Sequence, residues 1–450
     1  MDIIAVLRGI LGIGVLLGIA FLISNNKKNV NWRLVAGGLS IQFVLAIFLI
    51  KGDAMSQFFS PLGWVKDFFA WVSSFFVVIL QYSEQGASFV FGNLALAPGK
   101  EGSLGFFFAF QVLPTIIFFA ALMSILYYLG IMQKVVQAMA WVMAKIMGTS
   151  GAESLSCTAN IFVGQTEAPL IIKPYLEKMT KSEMLTVMTG GMATIAGGVM
   201  AAYIQMLGQS YAAAKGIPLE QGQILFATQL LSASVMAAPA ALLISKIIFP
   251  EMEEPATRGS VKLSIEKNGS NVIEAASNGA IDGLHLALNV AGMLIAFICI
   301  IALLNGILGW TGEVTGLNAI LIDEYGKPLS FQLLIGFILQ PVALAIGIPM
   351  HDALDFGSLL GTKTVLNEFV AYLDLAKMVE TKVLTDSKAI FMSSYALCGF
   401  ANFSSIAIQV GGIGALAPDR KSDLAQLGIK AVIGGTLSTL LSATIAGIFF

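Results

Sequence analysis

Two carboxylates stand out by their surroundings. Glu167 sits in the run Val163-Gly164-Gln165-Thr166-Glu167-Ala168-Pro169, a polar tetrad between helix breakers with apolar chain on both sides. Glu368 sits in Asn367-Glu368-Phe369-Val370-Ala371-Tyr372, again near the middle of a weakly polar segment. A carboxylate at bilayer depth costs roughly 3 kcal/mol or more, so it must face a partner or a watery cavity. An ionised carboxylate accepts charge-assisted hydrogen bonds, about twice as strong as neutral ones, and so suits a ligand rich in hydroxyl and amine donors. Gln165 adds an acceptor and two donors. Asn402 and Ser405 stand three apart and share a face if that stretch is helical. This is chemistry for holding a molecule rather than cleaving one. The two histidines, His285 and His351, lie far apart, and Gly208-Gln209-Ser210 lacks the second glycine of a nucleophile elbow. Cys157, Cys299 and Cys398 lie in apolar runs with no disulfide or metal spacing.

The elements that must position these groups are membrane helices. Of 450 residues 57% are hydrophobic and only 12% charged, with mean hydropathy +0.84 and net charge −2. That composition excludes a soluble globular domain, a disordered chain and a nucleic-acid binder. A span needs about 20 mostly apolar residues. Gaps between charges at 9–26, 34–50, 104–132, 184–214, 221–245, 283–312, 389–418 and 431–450 predict eight spans. The first is not a cleaved signal, because Arg8 lies within its long apolar stretch rather than ahead of it. The odd-numbered connections carry 15 Lys and Arg, the longer even-numbered ones only 9, which predicts cytoplasmic odd connections and both termini outside. Arg8 alone points the other way. The polar stretch 251–280 reads as a solvated connector.

Between the spans lie two segments that are not ordinary loops. A continuous span does not centre on Gln-Thr-Glu, whereas a hairpin that enters and returns puts that tetrad at its tip, where irregular backbone is tolerated beside protein or water. Pro169 is pre-set for a first helical turn, so the returning helix starts near it. Residues 328–372 form a similar segment, with Pro341 and Pro349 ahead of Glu368. Gly148 and Glu153 precede Glu167, and Gly347 and Asp352 precede Glu368. Each block leads into a span broken by small residues, Gly190–Val199 and Cys398–Ile406, and then a last apolar span. An odd number of spans separates the blocks, which inverts one relative to the other. Interrupted apolar segments at matching positions of two halves point to a transporter site. The expected fold is therefore all-α and integral to the membrane: eight transmembrane helices plus two opposed re-entrant hairpins in an inverted repeat.

These residues resemble a known family. Gly164-Gln165-Thr166-Glu167-Ala168-Pro169-Leu170 is similar to the first-hairpin signature of the concentrative nucleoside transporters, and 367–372 to their second. Gly399-Phe400-Ala401-Asn402-Phe403-Ser404-Ser405-Ile406 resembles the family's broken seventh helix. The resemblance runs from about residue 10 to 450, in the eight-span form of bacterial members. It implies a homotrimer in the cell inner membrane, in contact with lipid, in which a transport domain moves against a scaffold. Scaffold would comprise 1–132, with an outer interfacial helix near 60–82, and span six within 250–312. The transport repeats would be 133–249 and 313–450, with interfacial helices near 133–147 and 330–346.

The resemblance also implies residue roles in sodium-driven nucleoside symport, for substrates of the uridine, cytidine and adenosine class. Glu368, Asn402 and Ser405 would hold the ribose. Gln165, Thr166 and, through water, Glu167 would read the base, with Val199 and Phe400 as apolar walls. Sodium would take side-chain oxygens from Asn160 and Thr194 and carbonyls from Val163 and Ile195. Family members often carry Ser at Thr194, and the hydroxyl is kept. Proton-coupled relatives depart from this set, which favours sodium here, with proton coupling as the alternative. No organic cofactor is implied. An intramembrane enzyme lacks a nucleophile–base pair here, and two inverted hairpins suit alternating access better than a passive channel. Purine against pyrimidine preference stays open.

Overall fold

A computed structural model describes residues 3–98, 100–259 and 269–450. Every regular element among them is helical. Eight stretches are long and apolar enough to cross a membrane. They differ in one respect from the eight expected. The helix expected near 60–82 runs Trp64–Phe91, within an apolar stretch, Ser60–Ala95, that is long enough to cross. The seventh span is instead two short helices, Ser387–Ala396 and Phe403–Leu416. Charge-free gaps find spans but miss a crossing stretch that carries Lys66, Asp67 and Glu84.

The interrupted segments fold as the breakers require. The first hairpin descends through Gly151–Ala159, turns at 160–167 and returns. Ser150 and Glu153 form a capping box at its start. The return is not the single helix expected from Pro169. It is two separate turns, Ala168–Ile171 and Lys173–Leu176, because Pro174 lacks the N–H and its ring would strike the carbonyl of Leu170. The second hairpin has two full arms, Ala353–Val365 and Glu368–Glu380, with Asn367 capping the second arm by accepting from Val370 N–H at 2.9 Å. A helix precedes each hairpin, Ile131–Met147 and Phe331–Ala345. Each is followed by a left-handed glycine, Gly148 (φ 72°) and Gly347 (φ 100°), which marks the same turn in the two repeats.

A broken helix follows each hairpin. In the first repeat Lys181–Ala193 and Gly197–Lys215 flank an extended Thr194 (φ −121°, ψ 167°). In the second, 397–402 separate Ser387–Ala396 from Phe403–Leu416. Leu219–Ile248 and Lys421–Phe449 close the repeats. The polar connector also ends sooner than expected: residues 272–280 are the first turns of Val272–Val314, about 65 Å long over 43 residues. The part at 260–268 lies outside the described residues.

Burial divides these helices into two sets. The most apolar stretches of Lys181–Lys215, Leu219–Ile248 and Pro418–Phe449 are 83–94% buried. The first four stretches in the chain and Val272–Val314 are only 22–33% buried, so their apolar sides face outward. The inner set is tied at one end by ions. The Lys246 ammonium lies 2.8 Å from Glu153 and 3.1 Å from Glu251, and Ser150 donates to Glu183 at 2.5 Å. These contacts join the first hairpin, the first broken helix and the helix that follows it.

Candidate functional site

The two breaks back onto each other. A side chain at Gly399 would put its Cβ 2.6 Å from the carbonyl oxygen of Met192, so only glycine lets the second break approach the end of Lys181–Ala193. Gly435 is as tightly placed, its Cβ position lying 2.8 Å from Met192 Cβ and 3.1 Å from Ala401 Cβ. The hairpin tips meet this crossing. Gly197 N–H donates to Phe162 carbonyl at 3.1 Å, joining the first tip to the first break.

Glu368 opens the returning arm of the second hairpin and is 6% exposed. Its carboxylate accepts from Tyr203 Oη at 3.0 Å and from Asn402 Nδ2 at 3.1 Å. Asn402 is not on the helix face it was expected to share with Ser405. It stands before Phe403–Leu416 as the N-cap, its Oδ1 accepting from Ser405 N–H at 2.9 Å and from Ser404 Oγ at 2.7 Å. The cap consumes the amide oxygen and leaves the NH2 for Glu368. Ser405 accepts from Gln165 Nε2 at 3.1 Å, so the first tip reaches the second break through Gln165. Thus Gln165, Glu368, Asn402 and Ser405 come together from the two hairpins and the second broken helix, all buried.

The other expected residues spread around this centre. Thr166 is half-buried, with its methyl over Gly412, where a Cβ would lie 2.6 Å away. Glu167 is exposed, and its carboxylate folds over Gly164 rather than toward Glu368. Val199 is buried in the second half of the first broken helix, and Phe400 is half-buried in the second break. The expected ion ligands divide between the first tip (Asn160, Val163) and the first break (Thr194, Ile195), which the Gly197–Phe162 bond joins. Asn160 donates its Nδ2 to Ser156 carbonyl at 3.0 Å, while its Oδ1 is buried without a hydrogen-bond partner. Thr194 spends its hydroxyl proton on Gly190 carbonyl at 2.9 Å, which leaves its oxygen lone pairs free to face a cation. Ile195 is fully buried and Val163 half-buried. A buried amide oxygen without a donor fits a hard cation.

Three residues belong to this site that sequence reasoning did not single out. Tyr203 donates to Glu368 and stacks on Tyr372, ring centroids 4.3 Å apart. Gln409 donates to Gln165 Oε1 and to Met188 carbonyl, both at 3.0 Å. Lys363 is fully buried behind the second tip. Gln409 was findable: it lies four residues after Ser405, on the same face of an apolar helix. Tyr203 carried no such signal. A cavity of about 210 Å3 lies elsewhere, at the start of the first hairpin, lined by Ser150, Glu153, Lys246, Glu251 and Arg258. Its Lys246, Glu153 and Glu251 are spent on the ion pairs already described, and Ser150 on Glu183.

Known proteins share this sequence and arrangement. Residues 11–94 match the family described as "Na+ dependent nucleoside transporter N-terminus", 229–447 its C-terminal counterpart, and 109–210 "Nucleoside recognition". An "Uncharacterized transporter" of Haemophilus influenzae is 47% identical over 99% of this chain and 98% of its own. "Sodium/nucleoside cotransporter 1" of Rattus norvegicus is 43% identical over 98% of this chain and 63% of its own length. Among solved structures, CNTnw in an inward-facing substrate-bound state is 40% identical over 99% of both chains, with a TM-score of 0.83. A CNTnw variant in an outward-facing state also scores 0.83, covering 99% of this chain and 97% of its own. These relatives are transporters, not enzymes. With so much identity over nearly the whole chain, it belongs to the concentrative nucleoside transporter family.

Proposed function

We propose that this protein is a sodium-coupled symporter that imports nucleosides across a bacterial inner membrane by alternating access. The observation that carries the reading is the buried Glu368 carboxylate, held by Tyr203 and Asn402 beside the Gln165–Ser405 bond. In this reading a nucleoside replaces these internal bonds. Its ribose hydroxyls donate to Glu368 and exchange hydrogen bonds with Asn402 and Ser405. Gln165 and Thr166 meet the base, Glu167 reaches it through water, and Val199 and Phe400 pack on its faces. Each hydrogen bond to an ionised carboxylate contributes about 1.5–3 kcal/mol, enough to select a diol over an apolar ligand.

Sodium takes the oxygens of Asn160 and Thr194 and the carbonyls of Val163 and Ile195. The buried, unpartnered Asn160 Oδ1 favours a metal cation over a proton as the coupling ion. The ion shapes the first tip, and so couples to substrate, because it favours the conformation in which Gln165 faces Ser405. The mobile unit comprises both hairpins and the helices that follow them, and it shifts against the outward-facing apolar helices. Three such scaffolds meet in a homotrimer, the rest of their apolar surface lying in lipid, and both termini lie outside the cytoplasm.

The test is uptake of labelled uridine into proteoliposomes. Wild-type protein takes up uridine against its gradient only with external sodium, and Glu368→Gln assembles but does not transport. Equal uptake in choline buffer with a pH gradient assigns the coupling to protons, and wild-type rates in the glutamine variant remove Glu368 from the site.

A further inference from the structure

A glutamine amide can face either way round, and the way Gln165 faces decides what a base meets at the first tip. Gln165 lies between two partners on Phe403–Leu416. Its Nε2 donates to Ser405 Oγ at 3.1 Å, and its Oε1 accepts from Gln409 Nε2 at 3.0 Å. Ser405 does not set this orientation, because a hydroxyl both donates and accepts. Gln409 does. Its Nε2 also donates to Met188 carbonyl at 3.0 Å, and a backbone carbonyl only accepts. Turning the Gln409 amide over would set two oxygens against each other there. Gln409 Oε1 is meanwhile buried without a hydrogen-bond partner, a cost borne so that the NH2 faces Met188 and Gln165.

The pair is enclosed. Gln409 is 0% exposed. Both glutamines lie against the bare backbone of Gly191, where a Cβ would be 2.8 Å from Gln409 Nε2 and 2.9 Å from Gln165 Cβ. Gly191 stands one turn after Met188 in Lys181–Ala193, so one helix supplies both the space and the fixed acceptor. Orientation thus passes one way, from the Met188 carbonyl through Gln409 to Gln165. Gln165 Oε1 is spent on Gln409. One N–H of Gln165 goes to Ser405, and the other is left over.

We infer that Gln409 is a positioning residue that makes Gln165 a donor-only reader: the site recognises a hydrogen-bond acceptor on the base, a carbonyl oxygen in uridine, and Gln165 offers no acceptor to an exocyclic amine. This rests on the nucleoside reading above. When the ribose takes Ser405, Gln165 keeps its bond to the enclosed Gln409 and gives its N–H groups to the base.

Calorimetric titration at saturating sodium with uridine, 2-thiouridine and 4-thiouridine tests this, since sulfur is a weaker acceptor than oxygen. In the wild type at least one thio analogue should bind roughly threefold to tenfold more weakly than uridine. Equal binding of all three overturns the inference. Gln409→Glu reverses the chain. A carboxyl there carries at most one proton, which the Met188 carbonyl takes, so it can only accept from Gln165 and turns that amide round. The thio penalty should then vanish, the three ligands binding within about twofold of one another. A variant that weakens all three by the same factor and keeps the wild-type ratio leaves Gln409 a structural support and overturns the inference, as does an assembled variant that binds none of them. Wild-type protein that binds no uridine defeats the nucleoside reading instead. Where Gln409→Glu does not assemble, the wild-type ratio decides.

Discussion

At the scale of single residues, Glu368 is held by partners from two other elements, and those partners can be removed one at a time. Tyr203→Phe deletes one donor to the carboxylate while keeping the ring stacked on Tyr372. Losing a hydrogen bond to a charged group costs about 1.5–3 kcal/mol, so uridine affinity should fall roughly tenfold to a hundredfold, measured by calorimetric titration at saturating sodium. Unchanged affinity would separate Tyr203 from the site. Asn160→Ala removes the unpartnered oxygen in the turn of the first hairpin and should raise half-saturation by sodium about tenfold while leaving uridine affinity at saturating sodium within about threefold. Glu167, Glu368, Gln165, Asn402 and Ser405 were legible as candidates because polar groups in apolar runs are conspicuous. Tyr203 was not, since a tyrosine in a membrane helix is ordinary and only packing shows that its hydroxyl meets a carboxylate 165 residues away in the chain.

At the scale of elements, breakers in the sequence located the hairpins and the broken helices, but not their detail. The returning arm of the first hairpin became two single turns because Pro174 follows Pro169 by five residues. Asn402 changed from a helix-face residue into an N-cap because the second break extends through it. The contact between the breaks belongs to this scale. Gly399→Ala would drive a methyl to 2.6 Å from Met192 carbonyl, where backbone cannot yield, while Gly411→Ala meets nothing within 4 Å. Overpacking of this kind costs about 1–3 kcal/mol. The melting temperature of the detergent-solubilised protein should therefore fall for Gly399→Ala and hold or rise for Gly411→Ala. Equal melting of both variants would show that the two breaks do not bear on each other.

At the scale of the whole molecule, the deeply buried helices and the outward-facing apolar ones meet along a surface that must slide if one set moves against the other. Gly38, on Trp32–Ser56, lies against Leu243 on Leu219–Ile248: a Cβ at Gly38 would be 3.1 Å from Leu243 Cβ. That is slightly shorter than the roughly 3.5–4.5 Å between Cβ atoms in a disulfide, a gap that a small shift of either helix closes. A Gly38→Cys, Leu243→Cys pair, in a background with the exposed Cys299 replaced, should cross-link on oxidation. Uridine uptake should then stop and return on reduction, while binding persists. Continued uptake by the oxidised pair would place the sliding surface elsewhere.

The sequence by itself determined that the chain lives in a membrane, that two interrupted segments face each other across an inverted repeat, and which polar side chains stand at their tips. It did so because each unpaired polar group in hydrocarbon is costly and therefore rare, so those present are informative. Only the tertiary structure decided which of them meet. Gln165 reached Ser405 and Asn402 reached Glu368, whereas Glu167 turned outward over Gly164. It also decided that the buried Lys363 donates to the Ala396 carbonyl where the second broken helix ends its first half. Those outcomes depend on contacts between residues up to 240 positions apart, set by how glycine-lined breaks pack, which no local pattern encodes.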